Sequence, residues 1–339
     1  MSRQILPVGK LPHGLLAKLL ADAPSEDPDV VLGPGIGLDC AVVKVGERLL
    51  VFKSDPITFA SDELGWYLVE VNANDVATTG AVPRWLLVTL LLPEGKTTAA
   101  TVTAIMDDIY AACRSLRISV IGGHSEITHG LERALAVGTM VGEVAAGALV
   151  TPEGAKPGDR LLLTKGVPIE GTAILAREFP ERLAEVLAPE EIERAAGFLH
   201  NPGIGVLREA QVAVAAGRVT AMHDPTEGGL AAALWELAEA SGQALLADPG
   251  AVPVPALAAR VCGYFGLDPL ATIASGALLL AVDEADAAAV GVALSEAGIM
   301  WAEIGRVVGG PPAVYRPGGP RKEPWPRPER DQIALAYEE

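Results

Sequence analysis

Cysteine is nearly absent from this 339-residue chain: Cys40, Cys113 and Cys262 are odd in number, far apart, and form no C-x-x-C pair. That excludes a disulfide framework and a cysteine zinc site. Aromatic residues are scarce too, at 4%, so alanine, valine and leucine must build the cores. No uninterrupted apolar run reaches the ~18 residues of a membrane span, and the opening MSRQILPVGK lacks the apolar stretch of an export signal. The expected compartment is the cytoplasm, with no membrane association. Lysine and arginine are outnumbered 26 to 43 by aspartate and glutamate, giving a net charge of −17. A nucleic-acid partner, which selects for a basic face, is excluded on that ground. An acidic chain holds a polyphosphate through intervening cations or local backbone donors, so carboxylate–magnesium–phosphate bridging is more natural here than a lysine or arginine clamp.

Familiar nucleotide motifs are also missing. LPEGKTT at 92–98 ends like a P-loop, but the required first glycine is Leu90. GPGIG at 33–37 contains a proline and precedes an expected strand, whereas a dinucleotide fingerprint opens a helix. His124 and His129 stand five apart in an expected loop with no third ligand nearby, which disfavours a zinc pair.

The chain is long enough for two domains. Apolar β-branched runs predict strands over 40–45, 48–53, 85–92, 118–121 and 135–144. Between them, Val102, Ile105, Met106, Ile109, Cys113 and Leu116 form one stripe of a helix over 101–116, and Leu64, Leu68 and Val71 one stripe of a helix over 62–79. This is an α+β first domain, 1–150. The turn-rich TPEGAKPGDR at 151–160 marks the boundary. Strands over 161–164, 277–282 and 303–308 alternate with helices from 171, over 190–199, over 204–216 and over 229–240, an α/β second domain spanning 151–310. Residues 311–339 form a Pro-rich tail expected to wrap over the surface.

Four segments put polar residues where burial or strand ends favour apolar ones. Asp39 immediately precedes a strand, and Asp55 closes another. Asn74 and Asp75 lie in the 62–79 helix, with Asp75 on its apolar stripe, where an unpaired carboxylate is very costly. Gly122-Gly123-His124-Ser125 follows a strand end. Singly, Asp39 reads equally as a turn residue, Asp55 as an Asx cap and Asp75 as a buried helix-end partner. Jointly, three carboxylates at element ends fit a hard cation with room left for phosphate. In the second domain His223-Asp224-Pro-Thr226-Glu227-Gly228-Gly229 opens a helix. Thr226 or Asp224 is the expected N-cap, and the glycines expose amides to an anion.

The ordered set GLDCAVV, KSDP, NANDVATTGAVP, IGGHS, TKGVPIEGTAIL, HDPTEGGL and ASGALLLAV, over about 30–310, resembles the aminoimidazole ribonucleotide (AIR) synthetase, or PurM-like, superfamily. That superfamily includes HypE, thiamine-monophosphate kinase and selenophosphate synthetase, and the likeness is greatest to HypE and to AIR synthase-related proteins. The resemblance implies a homodimer whose first domains pair their sheets into a barrel, with ATP and Mg2+ near the interface. It implies Mg2+ on Asp39, Asp55 and Asp75, and nucleotide contacts from those residues with Asn74, Gly123, Asp224, Thr226 and Gly228. His124 and Asp75 would be the catalytic pair, with His124 and Asn74 orienting phosphate or substrate. Leu38 and His124 replace two expected aspartates, Glu227 replaces an arginine, and no cysteine follows Cys262, so the carbamoyl-carrying cysteine tail of HypE has no counterpart. The expected function is therefore an ATP- and Mg2+-dependent phosphotransferase or ligase-like enzyme that activates an oxygen of a small substrate. The alternative is a non-catalytic nucleotide-binding scaffold with a maturation-protein partner.

Overall fold

The structure is a computed structural model describing residues 5–6, 11–24, 26–35, 37–58, 62–318 and 321–338. The first domain runs α1 (His13–Ala21), β1 (Val30–Leu32), β2 (Ala41–Val45), β3 (Arg48–Ile57), α2 (Leu64–Thr78), β4 (Val82–Pro93), α3 (Ala99–Leu116), β5 (Ser119–Thr128) and β6 (Leu135–Val144). The second runs β7 (Arg160–Thr164), α4 (Ile169–Glu178), α5 (Pro180–Leu183), α6 (Pro189–Ala196), α7 (Leu207–Ala216), β8 (Val219–His223), α8 (Gly229–Ser241), β9 (Ala244–Ala247), α9 (Ala256–Tyr264), β10 (Leu279–Val282), α10 (Ala287–Glu296), β11 (Trp301–Val307), β12 (Ala313–Gly318) and β13 (Arg321–Pro324).

The first sheet has the order β1-β2-β3-β6-β4-β5, parallel only between β4 and β5. Alternation sends Leu49, Val51 and Ile57 of β3, Met140 of β6, and Leu86, Val88 and Leu90 of β4 to one face, where Leu64, Leu68 and Ile109 of α2 and α3 cover them. Helix α2 lies so close that a Cβ on Gly138 would fall 2.8 Å from Asn72 Nδ2, and one on Gly142 2.4 Å from Val76 Cγ1. Glycine there lets the helix dock on β6.

The second sheet has the order β13-β12-β9-β11-β7-β10-β8. It is antiparallel except between β9 and β12. Both faces are covered, so Leu161, Leu162 and Leu163 of β7 are all buried, pointing alternately at α8 and at the α7–α10 pair. The tail is more ordered than its composition predicts. Strands β12 and β13 extend the sheet, and the remainder is pinned by Trp235 Nε1 donating to the Trp325 carbonyl at 2.9 Å.

The expected β3 and β5 are too short. Strand β3 continues through Asp55 to Ile57, because Asn72 Oδ1 on α2 accepts the Asp55 amide at 3.1 Å. Strand β5 continues through its glycines to Thr128, because they allow close pairing with β4: a Cβ on Gly123 would lie 1.8 Å from the Val88 carbonyl oxygen.

Asn74 joins the domains. Its Nδ2 donates to the Ile204 carbonyl and its Oδ1 accepts from the Val206 amide, both at 2.8 Å. Beside it Lys165, whose φ is +57°, donates to the Gly203 carbonyl and pairs with Glu209 at 3.2 Å.

Candidate active site at the domain seam

Val51, Lys53, Asp55 and Ile57 share the face of β3 toward α2, and Leu68, Asn72 and Asp75 share the facing stripe of the helix. That juxtaposition brings Lys53 Nζ to 2.7 Å from Asp75 Oδ2, 3.7 Å from Asp55 Oδ2 and 4.0 Å from Asp39 Oδ1. Asp75 is 4% exposed. Burial, and then the charge of Asp224, push its carboxyl well up, against the pull of Lys53. For Lys53, burial opposes the charge, but Asp75, Asp39 and Asp55 outweigh it and hold the ammonium above its usual range. The Cys40 thiol donates to the Asp75 carbonyl at 3.3 Å, and burial pushes its pKa up, so it is an inert neutral thiol. A cavity of about 340 Å³ opens here, lined by Pro34, Leu38, Asp39, Phe52, Lys53 and Thr139 among others.

From the second domain, the end of β8 delivers His223 and Asp224. His223 Nε2 lies 2.8 Å from Glu236 Oε2 on α8. Its Nδ1 faces Asp39 Oδ2 at 4.0 Å and Asp224 Oδ1 at 3.9 Å. Burial disfavours the imidazolium, but the Glu236 hydrogen bond and charge, helped by Asp39 and Asp224, push its pKa up to about 9. Burial raises Asp224 to about 6, with His223 pulling the other way. Three segments of the first domain and one of the second therefore meet at one edge, lined by carboxylates and two cationic side chains.

Comparisons with known proteins follow the same division. A family model described as AIR synthase related protein, N-terminal domain, matches residues 37–144, and its C-terminal-domain companion matches 156–316. The chain belongs to the AIR synthase-related family. The carbamoyl dehydratase HypE of Escherichia coli (strain K12) is 30% identical over 254 residues, 73% of this chain and 71% of that protein. A solved structure of HypE in complex with ATP superposes with a TM-score of 0.70 at 22% identity, covering 94% of this chain and 91% of that one. A chain of a HypE–HypF complex gives 0.73 at 19%, covering 93% and 99%. At these identities the two structures share the two-domain, PurM-like fold.

Set against the family's expected ligands, the positions separate. Asp39, Asp55, Asp75 and Asp224 converge; several others are used elsewhere. Asn74 spends both ends of its amide on the domain seam, so it is a clasp and not a phosphate ligand in this conformation. His124 pairs in register with Thr89, on the sheet face away from α2 and the aspartates, and its Nε2 lies 3.1 Å from Glu126 Oε2. It stands three strands from β3, about 14 Å at ordinary strand spacing. Gly123 serves the β4 pairing. Helix α8 has no side-chain cap from Thr226 or Asp224: Gly228 is its N-cap at φ +77°, and the Gly228 amide donates to Asp331 Oδ2 of the tail at 2.6 Å. The Gly229 amide donates to the Thr226 carbonyl at 3.0 Å. The amides expected to meet an anion are satisfied within the chain.

In this structure a protein cation lies among the three carboxylates that the resemblance assigns to Mg2+. A dication shared by Asp39, Asp55 and Asp75 would stand where the Lys53 ammonium stands, so with Lys53 in place the trio already has its cation. Lys53, His223, Glu236 and Asp331 join the site without being among the residues the sequence pattern singles out. The usable signal was a basic residue beside an aspartate in each of KSDP and HDPTEGG. Glu236 and Asp331 carry none, because only the fold brings them near.

Proposed function

We propose that the chain binds ATP at the seam beside Asp39 and uses its γ-phosphate to activate an oxygen of a small substrate. A carboxamide or similar carbonyl oxygen would attack the γ-phosphorus, ADP would leave, and the phosphorylated oxygen would later depart as phosphate. Such chemistry depends on positioning and charge neutralisation more than on covalent catalysis. The observation that carries this reading is the convergence of Asp39, Asp75 and Asp224 from two domains beside an open cavity. The ATP-bound HypE structure and the carbamoyl dehydratase relative supply the reaction class. All three cysteines are buried, which favours a separate substrate molecule over one carried on a thiol.

The test is calorimetric ATP binding together with ADP release across a panel of carboxamides. Asp39→Asn, at a half-exposed side chain, is expected to lower ADP release by about 100-fold or more while leaving the fold intact. Release unchanged in that variant sinks the reading.

One observation favours the scaffold alternative: Lys53 occupies the aspartate trio. Tight ATP binding with no ADP release for any substrate selects it, with a HypF-like maturation protein as the class of partner suggested by the HypE–HypF complex. A homodimer through the first sheet is proposed as well. Edge strand β5 leaves Ile121 and Ile127 more than half exposed, and Leu87 of β4 lies open on the outer face. Sedimentation velocity giving a monomer at micromolar concentration overturns it.

A further inference from the structure

We propose that helix α1 of one copy of the chain docks its leucine stripe in the groove between α4, α5 and α6 of a second copy. Among the described residues, every other helix of eight residues or more supplies side chains to one of three hydrophobic cores, and α1 supplies none. Leu15 and Leu19, one turn apart on a single stripe, are 37% and 56% exposed, and Leu11 just before the helix is 45% exposed. A helix of nine residues is too short to hold itself by propensity, so its stability rests on packing that apolar edge against something.

A matching surface lies on the second domain. Ala176 of α4, Pro180 and Ala184 at α5, and Pro189, Ile192 and Ala196 of α6 line an open groove of about 520 Å³. Short side chains let a helix approach closely, and leucines at i and i+4 are the anchors such a groove accepts. Glu181 and Glu193 also line it, and residues 178–196 hold six glutamates against two arginines. One of those, Arg182, is committed to the Phe265 ring, 4.8 Å from its centroid, and to the Ala336 carbonyl. Charge selects the occupant. Residues 1–21 contain Arg3, Lys10 and Lys18 and no carboxylate, in a chain of net charge −17. Two copies of so acidic a chain repel at long range, so a contact between them needs local basic groups against local acidic ones. The segment ending in α1 and the rim of this groove supply that pair. No residue of α1 lines the groove of its own chain, which leaves it open to the helix of a second copy, and a reciprocal exchange closes as a two-fold dimer.

This contact is separate from nucleotide binding and from the pairing of first sheets, and cross-linking reads it directly. Cys40, Cys113 and Cys262 are buried, so engineered surface thiols are the ones that react. Full-length Leu19→Cys chain is mixed with full-length Ala184→Cys chain and treated with a short bis-maleimide. We expect a covalent heterodimer, at least about tenfold more abundant than when Val292→Cys, at an exposed position of α10, replaces Ala184→Cys. Adding Leu15→Asp to the Leu19→Cys chain is expected to lower that yield at least about tenfold, as withdrawing one leucine from an apolar pocket should. Leu15 belongs to no core, so the circular dichroism of that variant should match the parent's apart from α1. High salt should lower the yield as well. The proposal is overturned by a yield no greater than the Val292→Cys control, or by a yield that Leu15→Asp leaves unchanged. It is overturned too if the double variant Leu19→Cys/Ala184→Cys closes within one chain, which seats α1 in its own groove. Co-sedimentation of the parent with phosphatidylglycerol vesicles, without cross-linked heterodimer, assigns the leucines to a lipid surface and overturns it likewise.

Discussion

Lys53 Nζ stands 2.7 Å from Asp75 Oδ2 with both side chains almost wholly out of solvent, tying the middle of β3 to the middle of α2. Removing one member of such a pair leaves an unmatched buried charge, which costs about 3–5 kcal/mol. Lys53→Met is therefore expected to lose stability on that scale, read from the urea midpoint. Asp75→Asn is expected to lose less, because Asp39 and Asp55 remain beside the ammonium. Equal stability of Lys53→Met and the parent contradicts the assignment.

Asn74→Ala removes two hydrogen bonds across the seam and leaves the Ile204 carbonyl and Val206 amide without their partner. The expected loss is about 2–4 kcal/mol. Amide exchange at Val206 is expected to accelerate before that of the β7 core. Protection at Val206 equal to the parent's shows the clasp to be dispensable.

How much of this could be read beforehand varies with the physics behind each element. Helix α3 and strands β2, β4 and β6 follow from a single local periodicity, and the order of motifs carried the two-domain family fold. Strands β8 and β9 are short apolar runs with no alternation, and α10 is mostly alanine and valine, so local pattern could not separate them from loops. The aspartates were visible because a carboxylate on an apolar stripe is costly wherever it lies. Their partners were not: Lys53 reaches Asp75 only through the register of β3 against α2, and His223 reaches Asp39 only once the domains meet. Asn74 reads as a ligand for the same reason it is a clasp, being a polar side chain in a buried helix.

Acidity should stabilise this protein in a defined window. Burial lifts Glu70 and Glu170 to about 7 and Asp224 to about 6, and His223 is lifted to about 9. Each binds its proton more tightly folded than unfolded, so its contribution is complete below the unfolded value and lost as pH rises through the folded one. The carboxyls act between about pH 4 and 7, and His223 between about 6.5 and 9. Glu170 Oε2 has no hydrogen-bond partner among the described residues. Glu170→Gln is thus expected to exceed the parent by at least about 1 kcal/mol at pH 8 and to match it near pH 5. The reverse order in urea melts at those two pH values refutes the account.

Asp331→Ala removes the acceptor that holds the Gly228 amide at the start of α8. The expected loss is about 1–3 kcal/mol, with faster exchange confined to the first turn after Gly228. A loss spread over the whole second sheet would show that Asp331 acts through some other contact.

The carboxylate that holds the Gly228 amide lies 103 residues downstream of it. During synthesis at ordinary ribosomal speed, that separation amounts to about 5–20 s in which the helix exists without it. The end of β8, which carries His223 and leads into Asp224, feeds into that same first turn. The nascent second domain therefore passes through an interval with its sheet largely laid down but the entrance to α8 loose, and the acidic edge of the seam becomes fixed only when the tail arrives.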